Sequence, residues 1–154
     1  MNAWDAPLER LARTKSGVKF IFDNNVDNDV KKSFKRFMKW AKMHYYFPTK
    51  LYVFIRGTDF IKASDGDLVY GRSFMPDDHI APFIEVAAGD FSTLKSEDGR
   101  DNAIATLLHC LIHEMTHYFQ LLSDPAAHDD ILEKQAEICA EEIMERYQQT
   151  RMHP

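Results

Sequence analysis

The chain has 154 residues, of which 45% are hydrophobic and 28% are charged, and its formal net charge is −5. A chain of this length can bury roughly 70% of the surface that it exposes when unfolded. We therefore expect one domain over residues 1–154, whose core needs neither a disulfide nor a metal. The negative charge argues against a nucleic-acid binder, which needs a basic surface.

The first residues and the two cysteines favour a cytoplasmic protein. Residues 1–15 are charged and lack the apolar core of a signal peptide. No apolar run approaches the roughly 18 residues of a membrane-spanning helix, so no membrane association is expected. Cys110 and Cys139 lie within helical patterns, which predicts buried thiols rather than a disulfide.

Hydrophobic periodicity, read in chain order, predicts an α+β domain. An Asp-Gly pair predicts the turn of a hairpin, and Asp101 or Asn102 is the predicted N-cap of a long helix. The predicted elements are a helix at 6–13, a strand at 18–23, a helix at 27–47, a strand at 50–56, a hairpin around 64–67, a strand at 82–88, a polar connection at 89–102, a helix at 101–122 and a helix at 130–147.

The long helix carries the sequence H-E-x-x-H, with His113, Glu114 and His117 at its fixed positions. Residues four apart lie about 6 Å apart along a helix and on nearly the same side, so both imidazoles can reach one zinc ion. Glu114 cannot reach the same point, but it can take a proton from a water on the open side of the metal. His109 lies about 12 Å from His117 along the axis and is not expected to join the same ion.

A catalytic zinc ion usually has three protein ligands and an open position, so the third ligand must come from elsewhere. The last predicted helix follows a short break and can fold back against the histidines. The sequence leaves three candidates for the third ligand, which are Glu133, Glu137 and His128.

The segment "HEMTH" followed by "EKQAEICAEEI" resembles the gluzincin-type zinc peptidases, whose second helix supplies a glutamate ligand. Among them, small single-domain forms of the ImmA/IrrE-like or minigluzincin-like kind are the most similar. The ImmA/IrrE-like pattern is E-x-x-A-N-x-F-A, and this chain has Glu for Asn and Cys for Phe. The matching positions, over about the last 50 residues, are Glu133, Ala136, Glu137, Cys139 and Ala140.

The resemblance implies a zincin-like fold, with a small mixed sheet, an active-site helix and a C-terminal glutamate helix packed against it. It implies Zn²⁺ held by His113, His117 and Glu133, and hydrolysis of a peptide or protein substrate by a metal-activated water with Glu114 as the base. Glu137 would then accept a hydrogen bond from a ligand histidine. Because the family's Asn is replaced, Glu137 remains an alternative ligand.

The resemblance also places a substrate-binding edge strand above the metal. An unpaired edge offers backbone donors and acceptors to an extended peptide. The strand candidate at 84–88 is assigned to this role, with an ordinary core strand as the alternative. The residues concerned are Ile84, Glu85, Val86 and Ala87.

Two other functions remain open. The chain is small enough to be a zinc-binding module that binds a partner without hydrolysis. The segment "LIHEMTH" also resembles the SprT-like DNA-associated proteases, but such a protein would need His128 as a third histidine ligand and a DNA-binding surface. The negative charge does not favour that surface.

Overall fold

The computed structural model describes residues 2–5, 17–74, 81–123 and 129–150. The predicted helix at 6–13 lies outside them. The coarse prediction of an α+β domain is confirmed. The elements are a 3-10 helix (Ala3–Asp5), β1 (Val18–Phe22), α1 (Asn28–His44), β2 (Leu51–Arg56), β3 (Ile61–Lys62), β4 (Leu68–Val69), β5 (Gly71–Phe74), β6 (Phe83–Ala87), α2 (Phe91–Asp98), α3 (Arg100–Ser123) and α4 (Asp129–Gln148).

The four-stranded sheet has the order β1-β2-β6-β5. The first three strands are parallel, and β5 pairs antiparallel to β6, with Gly71 opposite Val86. β2 alternates buried and half-buried residues, as expected when one face of a strand packs on the core. On that inner face Val53, Ile84 and Val86 are fully buried, and α1 and α3 pack there. The hairpin of β3 and β4 is separate.

The edge-strand prediction is wrong, because β6 lies between β2 and β5. Both sides of the backbone of Ile84, Glu85, Val86 and Ala87 are used in strand pairing, so these residues offer no free edge to a substrate. Their nearly continuous burial is typical of an interior strand. In the described sheet the edges are β1 and β5.

The predicted polar connection at 89–102 is also wrong in part, because it contains α2. Gly99 ends this helix with a φ of 87°, a left-handed conformation that glycine adopts without strain. α3 then begins at Arg100, so Asp101 and Asn102 lie inside its first turn rather than at its N-cap. The short polar helix escaped detection because Phe91 is its single buried residue.

Trp4 holds α3 from the side away from the solvent. Its indole Nε1 donates a 3.0 Å hydrogen bond to the hydroxyl of Thr116, within the H-E-x-x-H segment. Its ring centroid lies 4.8 Å from that of Phe119. Both contacts are buried, so the orientation of α3 around its own axis is fixed by packing as well as by α4. Within the described residues, no helix has the length and apolar character needed to span a bilayer.

An ion-pair cluster on the outer face of the sheet ties β5 to β6 and β2. Glu85 accepts from Arg72 Nε at 2.6 Å and from Arg56 Nε at 2.9 Å. Burial alone would raise the pKa of Glu85, but hydrogen bonds and charge from the two arginines outweigh it and hold the pKa below 4.5. The carboxylate therefore anchors the edge strand in register.

We expect Glu85→Gln to lower the free energy of unfolding by about 1.5–3 kcal/mol at neutral pH, because hydrogen bonds to charged groups are lost. Since the folded-state pKa is depressed, this stability is present above the ordinary carboxyl pKa and is lost as pH falls through the folded-state value. Urea unfolding of both proteins at about pH 7 and pH 3 measures it, with exposed Glu97→Gln as the control. If the difference in unfolding free energy between wild type and Glu85→Gln is the same at both pH values, the lowered pKa of Glu85 is contradicted.

Candidate metal centre

The contact between α3 and α4 brings three potential ligands together. The rings of His113 and His117 have centroids 5.1 Å apart on one side of α3. Glu133 of α4 lies across from them, with Oε2 at 3.1 Å from His113 Nε2 and Oε1 at 3.0 Å from His117 Nε2. The potential ligand atoms of these residues all lie within 4.8 Å of one another.

The far nitrogens of both rings have their own acceptors. His113 Nδ1 lies 2.7 Å from Oε1 of Glu137, and His117 Nδ1 lies 2.8 Å from Oε1 of Gln120. The amide of Gln120 is oriented by its Nε2, which donates to the carbonyl of Leu132 at 2.9 Å. A neutral imidazole that donates from Nδ1 carries a lone pair on Nε2. With both rings neutral and in this tautomer, both Nε2 lone pairs would face the Glu133 carboxylate.

In that tautomer three acceptors would meet, and either a proton on a ring nitrogen or a metal cation would have to lie between them. A carboxylate offers only lone pairs, and two neutral imidazoles with occupied Nδ1 protons offer only lone pairs as well. Two atoms that each lie about 2.0–2.1 Å from a tetrahedral zinc ion are about 3.3 Å apart. The N–O separations of 3.0 and 3.1 Å between the histidines and Glu133 are close to that value. The donor set of two nitrogens and one carboxylate fits a zinc ion.

Exposure differs across the cluster. The side chains of both histidines are 13% exposed, whereas that of Glu133 is 62% exposed. An ion pair to such an exposed carboxylate contributes little to stability, so a gain in folding is a weak reason for this geometry.

The other histidines considered from the sequence do not contribute to the cluster in the described residues. His109 lies one turn away and lines a neighbouring cavity instead. His128 lies outside the described residues. Glu137 lies on the outer nitrogen of His113 rather than beside the two Nε2 atoms.

Glu114 points from α3 toward β5. Its pKa is raised to about 7, mainly by burial and to a smaller extent by the negative charges of Glu133 and Glu137, while the charge of His117 and a hydrogen bond with Ser73 oppose the rise. Ser73 belongs to β5, so this strand orients the carboxyl group. Sequence reasoning did not include Ser73, because the strand that carries it was not predicted.

Gly71 allows β5 to lie close to α3. A Cβ at this position would be 2.8 Å from Sγ of Cys110 and 3.1 Å from Cγ of Glu114. No real side chain tolerates the first distance without a shift of its neighbours. Because Gly71 has no side chain, β5 can lie this close to α3.

A cavity of about 410 Å³ adjoins the cluster, between the start of α2, α3, α4 and β5. Cys110 lies in its wall. Burial raises the pKa of this thiol to about 12, with further contributions from the charges of Glu114, Asp90 and Glu137. Burial and these negative charges disfavour the thiolate form, which is the nucleophilic form of cysteine.

No protein-family model matched the chain, and no match was found among curated proteins or solved structures. The function is therefore argued from the side chains of the site and their surroundings.

We expect Gly71→Ala to lower the free energy of unfolding by about 1–3 kcal/mol, the usual cost of an added methylene in a packed region. Combining it with Cys110→Ala removes the sulfur that the new methyl group would meet and should recover part of the loss. Thermal unfolding of the single and double variants tests this. An equal loss of stability in the single and double variants would show that the added methyl group does not clash with Cys110.

We expect Glu137→Ala to weaken zinc binding by about 10–100-fold, the usual effect of removing the acceptor behind a ligand histidine. Competition with a chromophoric chelator measures the affinity. Glu141→Ala, one turn further along α4 and exposed, is the matched control and should bind zinc as the wild type does. Complete loss of zinc in Glu137→Ala would favour Glu137 as a direct ligand instead.

Proposed function

We propose that the chain is a zinc-dependent metallopeptidase of the gluzincin type, which hydrolyses peptide bonds in a peptide or protein substrate. One observation carries the proposal. The Nε2 atoms of His113 and His117 both lie within 3.1 Å of the Glu133 carboxylate, while Glu137 and Gln120 lie against the Nδ1 atoms of the same rings. The mixed sheet with α3 and α4 beside it is compatible with a zincin-like architecture.

His113, His117 and Glu133 would hold the zinc ion. When bound, the ion would polarise the substrate carbonyl and lower the pKa of the attacking water. Glu114 shares a cavity wall with His113 and would accept the proton of the water. It would then give that proton to the nitrogen of the leaving amine, so that the carboxylate is restored after each cycle.

β5 takes the role that the sequence assigned to β6. Among the described strands, β5 pairs only with β6 and has a second side without a strand partner. An extended peptide can pair with such an edge through its backbone. Gly71 and Ser73 approach the active-site helix from this strand, so a peptide along β5 would pass close to Glu114.

The test separates metal binding from hydrolysis. Purified protein should contain about one zinc ion per chain, as expected of a mononuclear site, and His113→Ala should contain none. Glu114→Gln should retain the zinc and lower peptide hydrolysis by about 10²–10⁴-fold, the usual contribution of a general base. Elemental analysis and cleavage of a fluorogenic peptide library provide the two measurements. Glu145→Gln, on the exposed side of α4, is the control for both.

The contradicting outcomes are distinct. Folded wild-type protein that binds no zinc would exclude the metal centre. Zinc-loaded protein that cleaves no member of the library, with Glu114→Gln indistinguishable from wild type, would instead favour the zinc-binding module. Cleavage that appears only with DNA present would favour the SprT-like alternative.

A further inference from the structure

The cavity beside the metal centre shares a wall with the proposed reaction site. His113 and Glu114 form that wall, and Asp90 and Leu94 contribute another from the start of α2. Its volume of about 410 Å³ is within the range of ligand pockets, ~300–1,000 Å³. A group bound there would lie next to the peptide bond that Glu114, as the proposed general base, helps to hydrolyse.

Part of the cavity surface is apolar. Leu94 and Leu107 line it from α2 and α3, and Tyr70 lines it from the residue before β5. Gly71 adds backbone without a side chain. Surfaces of this kind accommodate the methylene groups of a long side chain.

The polar lining of the cavity contains three carboxylates, from Asp90, Glu114 and Glu137. The other polar lining side chains, besides Tyr70 and Cys110, are Thr106, His109 and His113, and none of the described lining residues is a lysine or an arginine. All three carboxylates oppose ionisation of the Cys110 thiol, so their fields converge on the same space.

Asp90 differs from the other two carboxylates because its only hydrogen bond among the described residues is with its own backbone, and its Oδ1 has no donor among them. Glu137 is paired with His113, and Glu114 with Ser73. Asp90 occupies the N-cap position of α2 but makes no side-chain capping bond. Its Oδ1 is buried, and no other described residue donates to it. A buried carboxylate oxygen without a donor is costly, so a cation brought into contact with it would be favoured.

We propose that this cavity binds the basic side chain, lysine or arginine, of a substrate residue beside the scissile bond, with Asp90 as its counter-ion. The site of cleavage in this inference rests on the proposed function, whereas binding of the cation does not. An apolar side chain would leave Asp90 desolvated and unpaired, and an acidic one would meet three carboxylates of the same sign.

The first experiment tests binding without catalysis. Butylguanidine and its neutral isostere butylurea are titrated into the zinc-loaded protein, and binding is followed by NMR chemical shifts. Butylguanidine should bind about 10–100-fold more tightly, the ratio expected of a hydrogen bond to a charged group. Asp90→Asn should remove this difference, and asparagine is equally favoured at an N-cap, so α2 should be preserved. Asp98→Asn, which removes one charge from the exposed end of α2, should leave the difference unchanged.

The second experiment tests whether a lysine or arginine in a peptide substrate directs cleavage. A library of peptides blocked at both ends and the same library with free amino termini are digested, and the cleavage sites are mapped by mass spectrometry. Cleavage should be preferred beside lysine or arginine. The preference over alanine at that position should fall about 10-fold in Asp90→Asn and remain in Asp98→Asn.

The outcomes separate this inference from the proposed function. Asp90-dependent binding of butylguanidine without cleavage of any peptide would support the cation site and contradict the peptidase. Cleavage with no preference for basic residues, together with equal binding of both probes, would overturn the inference and leave the peptidase intact. Cleavage restricted to peptides with a free amino terminus would also overturn it, because the cation would then be the terminal amine.

Discussion

The site depends on one electrostatic constraint, which is that two imidazoles and a carboxylate meet between α3 and α4. The Nε2 atoms of His113 and His117 lie 3.1 and 3.0 Å from the carboxylate oxygens of Glu133. A proton or a metal cation between the atoms stabilises such a contact. Ala136 and Ala140, both fully buried, let α4 approach α3 closely enough for Glu133 to reach the histidines.

α3 must pack against a different element on each of two sides to hold the candidate site residues in place. Successive residues on a helix are about 100° apart, so Glu114 cannot point in the same direction as His113. α4 completes the cluster around the histidines, and β5 meets Glu114 through Ser73 and the bare backbone of Gly71. Trp4, bonded to Thr116 on the buried side, prevents rotation that would exchange these faces. The geometry of the candidate site thus depends on packing at three sides of one helix.

Local sequence patterns predicted part of this site. The remainder could not be predicted because it depends on the order of the strands in the sheet. H-E-x-x-H spacing and the helical period were sufficient to put His113 and His117 on one side of α3. Gln120, three residues after His117, had the spacing of a same-side neighbour and could have been included. β5 has no run of β-branched residues and was not recognised as a strand. Which strand lies at an edge depends on pairing between distant segments, so β6 was misplaced in that role.

At Asp90 the conformation that would best cap α2 differs from the one that places the carboxylate in the cavity wall. Aspartate at an N-cap ordinarily accepts a backbone hydrogen bond, which satisfies both groups. Here the carboxylate makes no side-chain capping bond and is partly desolvated in the cavity wall. Natural sequences break local rules of this kind mainly at functional sites. Gly71 lies in both the edge strand and the cavity wall. A peptide paired along β5 could therefore direct a side chain into the cavity while its backbone passes Glu114, and both contacts would position the same bond.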